Sequence, residues 1–215
     1  MSEISTVGAE AEQLEDKSLR MMDSTIELIS RDGLAAVRLQ DIAAHAGVSV
    51  GAIQYHFASR ADLIDRALLR HARQMLDAIT IEAGDLAAWP ALRQTLWAIA
   101  RQSEIESKDR VWVMLNASAL TSMQHLKLVQ SIQKRWQGLF RDLVARGIST
   151  GDFRPVASAE DIVEQFIIGI DGFAINNAVH GFASSDAVEH LGGSLERLAI
   201  ALLRPSHGLG ATGAE

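Results

Sequence analysis

The stretch Leu39-Gln-Asp-Ile-Ala-Ala-His-Ala-Gly-Val-Ser-Val-Gly-Ala-Ile-Gln-Tyr-His-Phe57 sets the reading of the whole chain. Leu39 to Ala46 has the spacing of a short helix with Ile42, Ala43 and Ala46 inward; Gly47-Val48-Ser49 breaks it, and Val50 to Phe57 forms a second short helix. Two stubby helices around a glycine turn are the arrangement of a helix-turn-helix. The apolar set Leu39, Ile42, Ala43, Ala46, Val48, Ile53 and Phe57 can share one small core, which leaves Val50, Gly51, Gln54 and Tyr55 on the outer face of the second helix. Such a helix fits the major groove of B-DNA, where amide and hydroxyl side chains bond base edges and a glycine lets the backbone come close. Ser49, His56 and Arg60 flank this face as donors to phosphate, and Arg38 and Gln40, at the start of the first short helix, complete the candidate set.

Working outward, the same three-and-four spacing continues almost throughout, broken by only three prolines, and predicts an all-α chain of nine helices. A first helix is expected from Glu15 to Arg31, with Leu19, Met22, Ile26 and Ile29 on one face and Gly33 as its stop. Ser59, three before Asp62, resembles a capping box and opens a long fourth helix, Ala61 to Glu82. Five more follow: Ala88 to Ser103, Lys108 to Leu120, Met123 to Ile148, Ser158 to Phe182 and Asp186 to Leu203. The expected organisation is a disordered tail over 1–14, a three-helix DNA-binding domain with the helix-turn-helix over 15–58, a larger helical ligand-binding and dimerisation domain over 59–204, and a flexible tail over 205–215.

A net charge of −7 at first argues against a nucleic-acid partner, but its distribution matters more than its total. Residues 1–16 carry five acids and no base, residues 17–73 eight Lys/Arg against six Asp/Glu, and residues 74–215 twelve against sixteen. The helix-turn-helix segment is thus the one with a positive balance. With no cysteine there is no disulfide framework and no thiolate chemistry. The N-terminus lacks a basic start followed by an apolar run, and no stretch reaches the roughly 18 uninterrupted apolar residues of a membrane span, so a cytoplasmic protein without membrane contact is expected.

Two strings imitate catalytic motifs. Gly47-Val-Ser-Val-Gly51 matches the nucleophile elbow G-x-S-x-G, which needs a strand before it, whereas a helix precedes it here. Gly208-Leu-Gly-Ala-Thr-Gly213 matches a dinucleotide fingerprint, yet only two residues follow it. The seven histidines form no metal-ligand pattern and no acid/base carboxylate pair stands out, so neither a metal, a cofactor nor an enzyme is expected.

The pattern from about residue 22 to 69, with Gly33, Asp41-Ile-Ala, Ala46-Gly-Val-Ser49, Gly51, Phe57, Ser59-Arg60 and Leu63, resembles the TetR-family DNA-binding domain. The second half resembles the subgroup containing the choline-responsive repressor BetI, through Arg135-Trp136, Gly151-Asp-Phe-Arg-Pro155 and Asp171-Gly-Phe173. Three positions depart from the family: Arg38 replaces the usual Thr or Ser, Gln54 the usual Tyr, and Arg60 the usual Lys. Gln54 then suits a bidentate contact to adenine. The resemblance implies a homodimeric, ligand-responsive repressor on a double-stranded, pseudo-palindromic operator, with a small-molecule inducer, apolar or cationic, enclosed by helices four to eight. The aromatics and amides on those helices, Trp97, Trp112, Asn116, Trp136, Phe140, Phe166, Phe173 and Asn177, are the candidate ligand residues, with ordinary core packing the competing reading. Glu164 and Asp171 are candidate partners of a cationic ligand, and the last two helices, through Phe173 and Leu195 among others, are the expected dimer seam. The rival readings are a helical small-molecule binder without DNA binding and a helical enzyme.

Overall fold

Helix α1 (Ser2–Asp32) stops at Gly33, whose φ of 92° lies in the left-handed region that a Cβ disfavours. The computed structural model describes residues 2–83, 86–102, 106–180 and 184–206, and among these every regular element is a helix. Eight helices follow the first: α2 (Leu39–Ala46), α3 (Val50–His56), α4 (Arg60–Ala83), α5 (Ala88–Gln102), α6 (Glu106–Ala119), α7 (Met123–Ser149), α8 (Ala159–His180) and α9 (Ser184–Leu203). The all-α, nine-helix expectation is met. The first helix, however, starts at Ser2 instead of Glu15, in the span expected to be disordered. The sequence Ala9-Glu-Ala-Glu-Gln-Leu14 consists of strong helix formers, and helix propagation from an anchored segment needs no new nucleus. At the other end, Ser206 N–H donates to the Asp152 carbonyl at 2.8 Å and its hydroxyl to the Gly151 carbonyl at 3.0 Å, so the first residues of the expected C-terminal tail are tied down. The remainder of that tail, with the Gly208 to Gly213 string, lies outside the described residues.

The caps explain the short elements. Gly47 (φ 67°) closes α2, its N–H reaching the carbonyls of Ala43 and Ala44. Ser49 caps α3 by accepting from the Ala52 N–H at 3.1 Å. At α4 the predicted cap forms: the Ser59 hydroxyl accepts from the Asp62 N–H at 3.1 Å, and the Asp62 carboxylate accepts from the Ala58 N–H at 3.0 Å. Ser158 does the same for α8 through the Asp161 N–H at 3.1 Å.

Two cores result. The first joins Met21, Ile29, Ile42, Ile53, Phe57, Leu63 and Ile64 with Val111, Leu115, Val129 and Ile132; the helix-turn-helix packs on α1, and α1 and α4 continue this core to α6 and α7. On α1 the core face is Met21, Thr25, Leu28 and Ile29, whereas Leu19 and Met22 are half-buried at its edge. The second core is built from α5, α7, α8 and α9 around Leu92, Leu96, Phe140, Phe166 and Leu195. Two glycines set how closely its parts approach. A Cβ on Gly192 would come within 2.6 Å of the Trp97 ring, which lets α9 lie on α5, and a Cβ on Gly147 would overlap the ring of Phe153. Phe153, edge-on to Trp89 with ring centres 6.5 Å apart, belongs to a connector whose Arg154 and Val156 N–H groups donate to the Leu203 and Leu202 carbonyls.

Candidate DNA-reading face and ligand cavity

Helix α3 is held from below by Ile53 and Phe57, both buried, so its opposite side is free of the fold. Gly51, Gln54 and Tyr55 are exposed there, Tyr55 to 77%, with Val50 and His56 half-buried beside them. The Tyr55 and His56 rings meet edge-to-face at 5.4 Å. Gln40 and Arg38 are exposed on α2 and its N-cap, and the Arg38 N–H is fixed by the Asp41 carboxylate at 3.2 Å. Ser49 keeps its O–H for donation, because its cap uses only a lone pair. Of the nine residues expected to face DNA, Arg38, Gln40, Ser49, Gly51, Gln54 and Tyr55 are thus exposed and Val50 and His56 half-buried.

Arg60 is the exception. Its Nε donates to the Val37 carbonyl at 2.6 Å, and its Nη2 to the carbonyls of Leu34 and Ala35 at 2.7 and 3.4 Å. A planar guanidinium can hold several carbonyls at once, and these belong to the loop that delivers Arg38 and α2. The residue expected on phosphate is a clip between the start of α4 and that loop. The Gly47–Gly51 string likewise has no elbow: Gly47 ends one helix and Ser49 begins another.

The second site is a partly open cavity of about 100 Å³ between α4, α6, α7 and α8, with Ile99 of α5 and Leu191 of α9 also in its lining. Leu68, His71, Ala72 and Met75 of α4 form one wall; Trp112 and Leu115 of α6, Ile132 and Trp136 of α7, and Ile167, Ile170 and Phe173 of α8 form the others. Of the eight predicted ligand residues, Trp112, Trp136 and Phe173 line it. The others do different work. Phe140 and Phe166 are fully buried behind Trp136, 5.3 Å apart. Trp97 donates to Glu196 at 2.7 Å, where Arg93 also binds, fastening α5 to α9. The Asn116 amide bonds the Trp112 carbonyl of its own helix at 2.9 Å. Asn177 does not line the cavity, but it donates at 2.6 Å to Asp109, which does.

Of the polar lining, the sequence pattern pointed to Asp171 and missed the rest. His71, Lys108, Asp109, Gln133 and Asp171 all face the cavity, whereas Glu164 is exposed away from it. Asp171 accepts from the Trp112 indole at 2.9 Å. Burial pushes the carboxyl groups of Asp171 and Asp109 up, against the hydrogen bonds they accept and, for Asp109, the nearby Lys108. Burial also lowers the Lys108 ammonium, and it lowers the His71 imidazole to about 4, so His71 is neutral at pH 7. Among the described residues the buried Nε2 of His71 has no hydrogen-bond partner.

A third cluster joins the two sites. Asp65 of α4 lies 3.3 Å from Nε2 of His125 at the start of α7, and the other ring nitrogen is 2.7 Å from the hydroxyl of Ser118 on α6. Gln124 also bonds Asp65. The Ser118 hydroxyl is within 2.9 Å of the Leu115 carbonyl as well, so the trio works as a cross-brace of α4 to the α6–α7 corner.

These geometries agree with the similarity of the chain to known proteins. Residues 21–67 match the family model described as bacterial regulatory proteins, tetR family. The HTH-type transcriptional repressor KstR of Mycolicibacterium smegmatis is 30% identical over 139 residues, 61% of this chain and 67% of the relative. The chain belongs to the TetR family. The HTH-type transcriptional repressor KstR2 of Mycobacterium tuberculosis is 28% identical over 159 residues, 73% of this chain and 78% of that protein. A transcriptional regulator from Saccharomonospora viridis, solved in complex with choline, shares the fold with a TM-score of 0.71 at 22% identity, over 88% of this chain and 98% of that one. This TetR-family chain is accordingly a ligand-responsive, DNA-binding transcription regulator and not an enzyme.

Proposed function

We propose that the protein is a cytoplasmic homodimeric repressor that reads a pseudo-palindromic operator with α3 of each protomer and leaves it when a small molecule enters the cavity. The observation that carries this reading is the path of α4. The same helix packs Leu63 and Ile64 against the helix-turn-helix and, two turns on, supplies Leu68, His71, Ala72 and Met75 to the cavity wall. Sites for drug-sized ligands have volumes of roughly 300–1,000 Å³, so one near 100 Å³ is the closed form. Any larger ligand must displace a wall, and α4 is the wall connected to the DNA face. A ligand that fits only the displaced arrangement shifts the population toward it, and by reciprocity DNA opposes ligand binding.

Dimerisation has its own support on α8. Ile168, Gly172, Ile175 and Val179 recur at spacings of four, three and four; the three apolar side chains are 53–67% exposed, and the space around a Gly172 Cβ is open. By length and composition α8 could cross a membrane, yet it packs on α6, α7 and α9, which leaves this one stripe for a partner protomer. The expected seam is revised accordingly: Phe173 and Leu195 are buried within the chain. The likeness of the second half to the choline-responsive subgroup belongs to the same proposal, supported by the polar lining beside Trp112 and Trp136. The test is a gel shift and footprint on the DNA upstream of the protein's own coding sequence, with a ligand screen for release. Protection of a symmetric site that some ligand abolishes is the expected result; absence of any sequence-preferring binding would overturn the proposal.

A further inference from the structure

We infer that His125 is a positioning residue for operator recognition: as an imidazolium held between Asp65 of α4 and Ser118 of α6, it fastens the DNA-reading half of the chain to the cavity half, so the grip on DNA is linked to a proton. This rests on the reading of the protein as an operator-binding repressor and gives that repressor a second input beside the cavity ligand. Three observations converge. The first is the count of protons. The Ser118 Oγ lies 2.7 Å from Nδ1 of His125 and 2.9 Å from the Leu115 carbonyl, and a hydroxyl has one hydrogen to give. In a neutral ring with its hydrogen on Nε2, the hydroxyl can serve only one of the two. With the hydrogen on Nδ1, a bare Nε2 confronts the Asp65 carboxylate at 3.3 Å. The imidazolium uses every contact: Nδ1–H donates to Ser118, Ser118 donates to Leu115, and Nε2–H faces Asp65.

The second observation is what Asp65 lacks. Its Oδ1 is buried and, among the described residues, makes no hydrogen bond of normal geometry, although Nε2 is 3.3 Å away. Charge, which is not directional, is what His125 can supply there. Burial pushes the Asp65 carboxyl up, and His125 is the largest influence against it; Asp62, one turn earlier on α4, adds to the rise, while the Gln124 amide opposes it. Asp62 is itself engaged by Arg66 at 2.8 Å, and α6 presents the uncharged Ser118. The third is placement. Asp65 follows Ile64, which shares the first core with Ile53 and Phe57, and it precedes Leu68 of the cavity wall by one turn. His125 opens the helix whose Ile132 and Trp136 line the same cavity. The brace thus sits where motion of the cavity wall passes to the reading domain.

An imidazole exchanges its proton between roughly pH 5 and 8, so the brace is charged at the low end and its charge is lost as pH rises. Denaturant unfolding of the full-length protein at fixed concentration is compared for wild type, Asp65→Asn, His125→Gln and the double variant at about pH 6 and about pH 8.5. The coupling between the two positions is expected to be at least about fivefold in the unfolding constant at the lower pH and within about twofold of unity at the higher. His45, His56 and His71 are common to all four chains and cancel in the cycle. Operator affinity, measured on the footprinted DNA at both pH values, should fall at least about fivefold more in wild type than in His125→Gln as pH rises, with the same salt slope in both; a proton acting at the DNA face would move that slope. A coupling that is absent at the lower pH, or equal at both, overturns the charged brace. Nitrogen NMR of the wild-type ring asks the same without a variant: hydrogen on both nitrogens at the lower pH is expected, and a single neutral tautomer there overturns the assignment. A pH-dependent coupling with equal operator response in wild type and His125→Gln overturns the positioning role. Absence of sequence-preferring DNA binding in every chain would sink the repressor reading, and with it the positioning role, while the cycle still decides the brace.

Discussion

At the residue scale, Gln54 and Arg60 illustrate how little a side chain's charge says about its job. Gln54 is exposed on the reading face, so Gln54→Ala should lower operator affinity about tenfold and flatten base preference, with the salt dependence unchanged. Arg60 holds three loop carbonyls, so Arg60→Ala should cost roughly 2 kcal/mol of stability, Arg60→Lys should not restore it, and the slope of log affinity against log salt should stay the same. A direct phosphate contact would instead reduce that slope by about one unit. Denaturant melts and salt-titrated gel shifts separate the two. His71 gives a pH signature. Its folded value of about 4 lies below its ordinary 6.5, so its contribution is fully present above pH 6.5 and is lost as pH falls from 6.5 to about 4. Loss of melting temperature across that window should be smaller in His71→Gln.

At the element scale, two helices make demands that their own periodicity does not disclose. In the last turn of α7 the Phe153 ring occupies the space that a Cβ on Gly147 would take; Gly147→Ala should destabilise the fold by about 1–3 kcal/mol despite its better helix propensity, as read from chemical denaturation. Helix α8 is apolar nearly all round. Ile162, Val163, Phe166 and Phe173 face the core, Asp171 the cavity, and Ile168, Ile175 and Val179 the solvent of the isolated chain. Ile175→Glu should therefore leave a folded monomer in sedimentation velocity and reduce operator affinity by at least about a hundredfold, since half of a two-fold site binds weakly. Leu195→Glu, at a buried position, should unfold the chain before it informs on the dimer.

At the scale of the whole molecule, α4 is the one long element common to both sites. From Arg60 to Met75 it spans about 22 Å at 1.5 Å per residue, and the Asp65–His125–Ser118 brace fixes its middle against α6 and α7. A tilt imposed at Met75 is thus carried to the base of α3 and not dissipated in a hinge. Filling the cavity should imitate the ligand. Ala72→Leu places added volume on the α4 wall, and it is expected to weaken operator binding about tenfold in the absence of any small molecule, measured by gel shift against unchanged dimer mass. Unchanged affinity in a folded Ala72→Leu dimer would break the proposed coupling.

The sequence by itself determined the helical class, the helix-turn-helix and which side of α3 is left exposed. Those rest on local rules: a glycine in the left-handed region at 47, serine caps at 49 and 59, and a three-and-four spacing that sorts Ile53 and Phe57 from Gln54 and Tyr55 within two turns. Only the tertiary structure decided what Arg60 holds, which apolar face of α8 is left uncovered, and that Asp171, Asp109 and His71 meet Trp112 and Trp136 around one cavity. Contacts between residues far apart in the chain leave no periodic trace. A helix apolar on every side has no preferred direction until its neighbours are in place, and a carboxylate reads as a solvated surface group until the helices around it exclude the water.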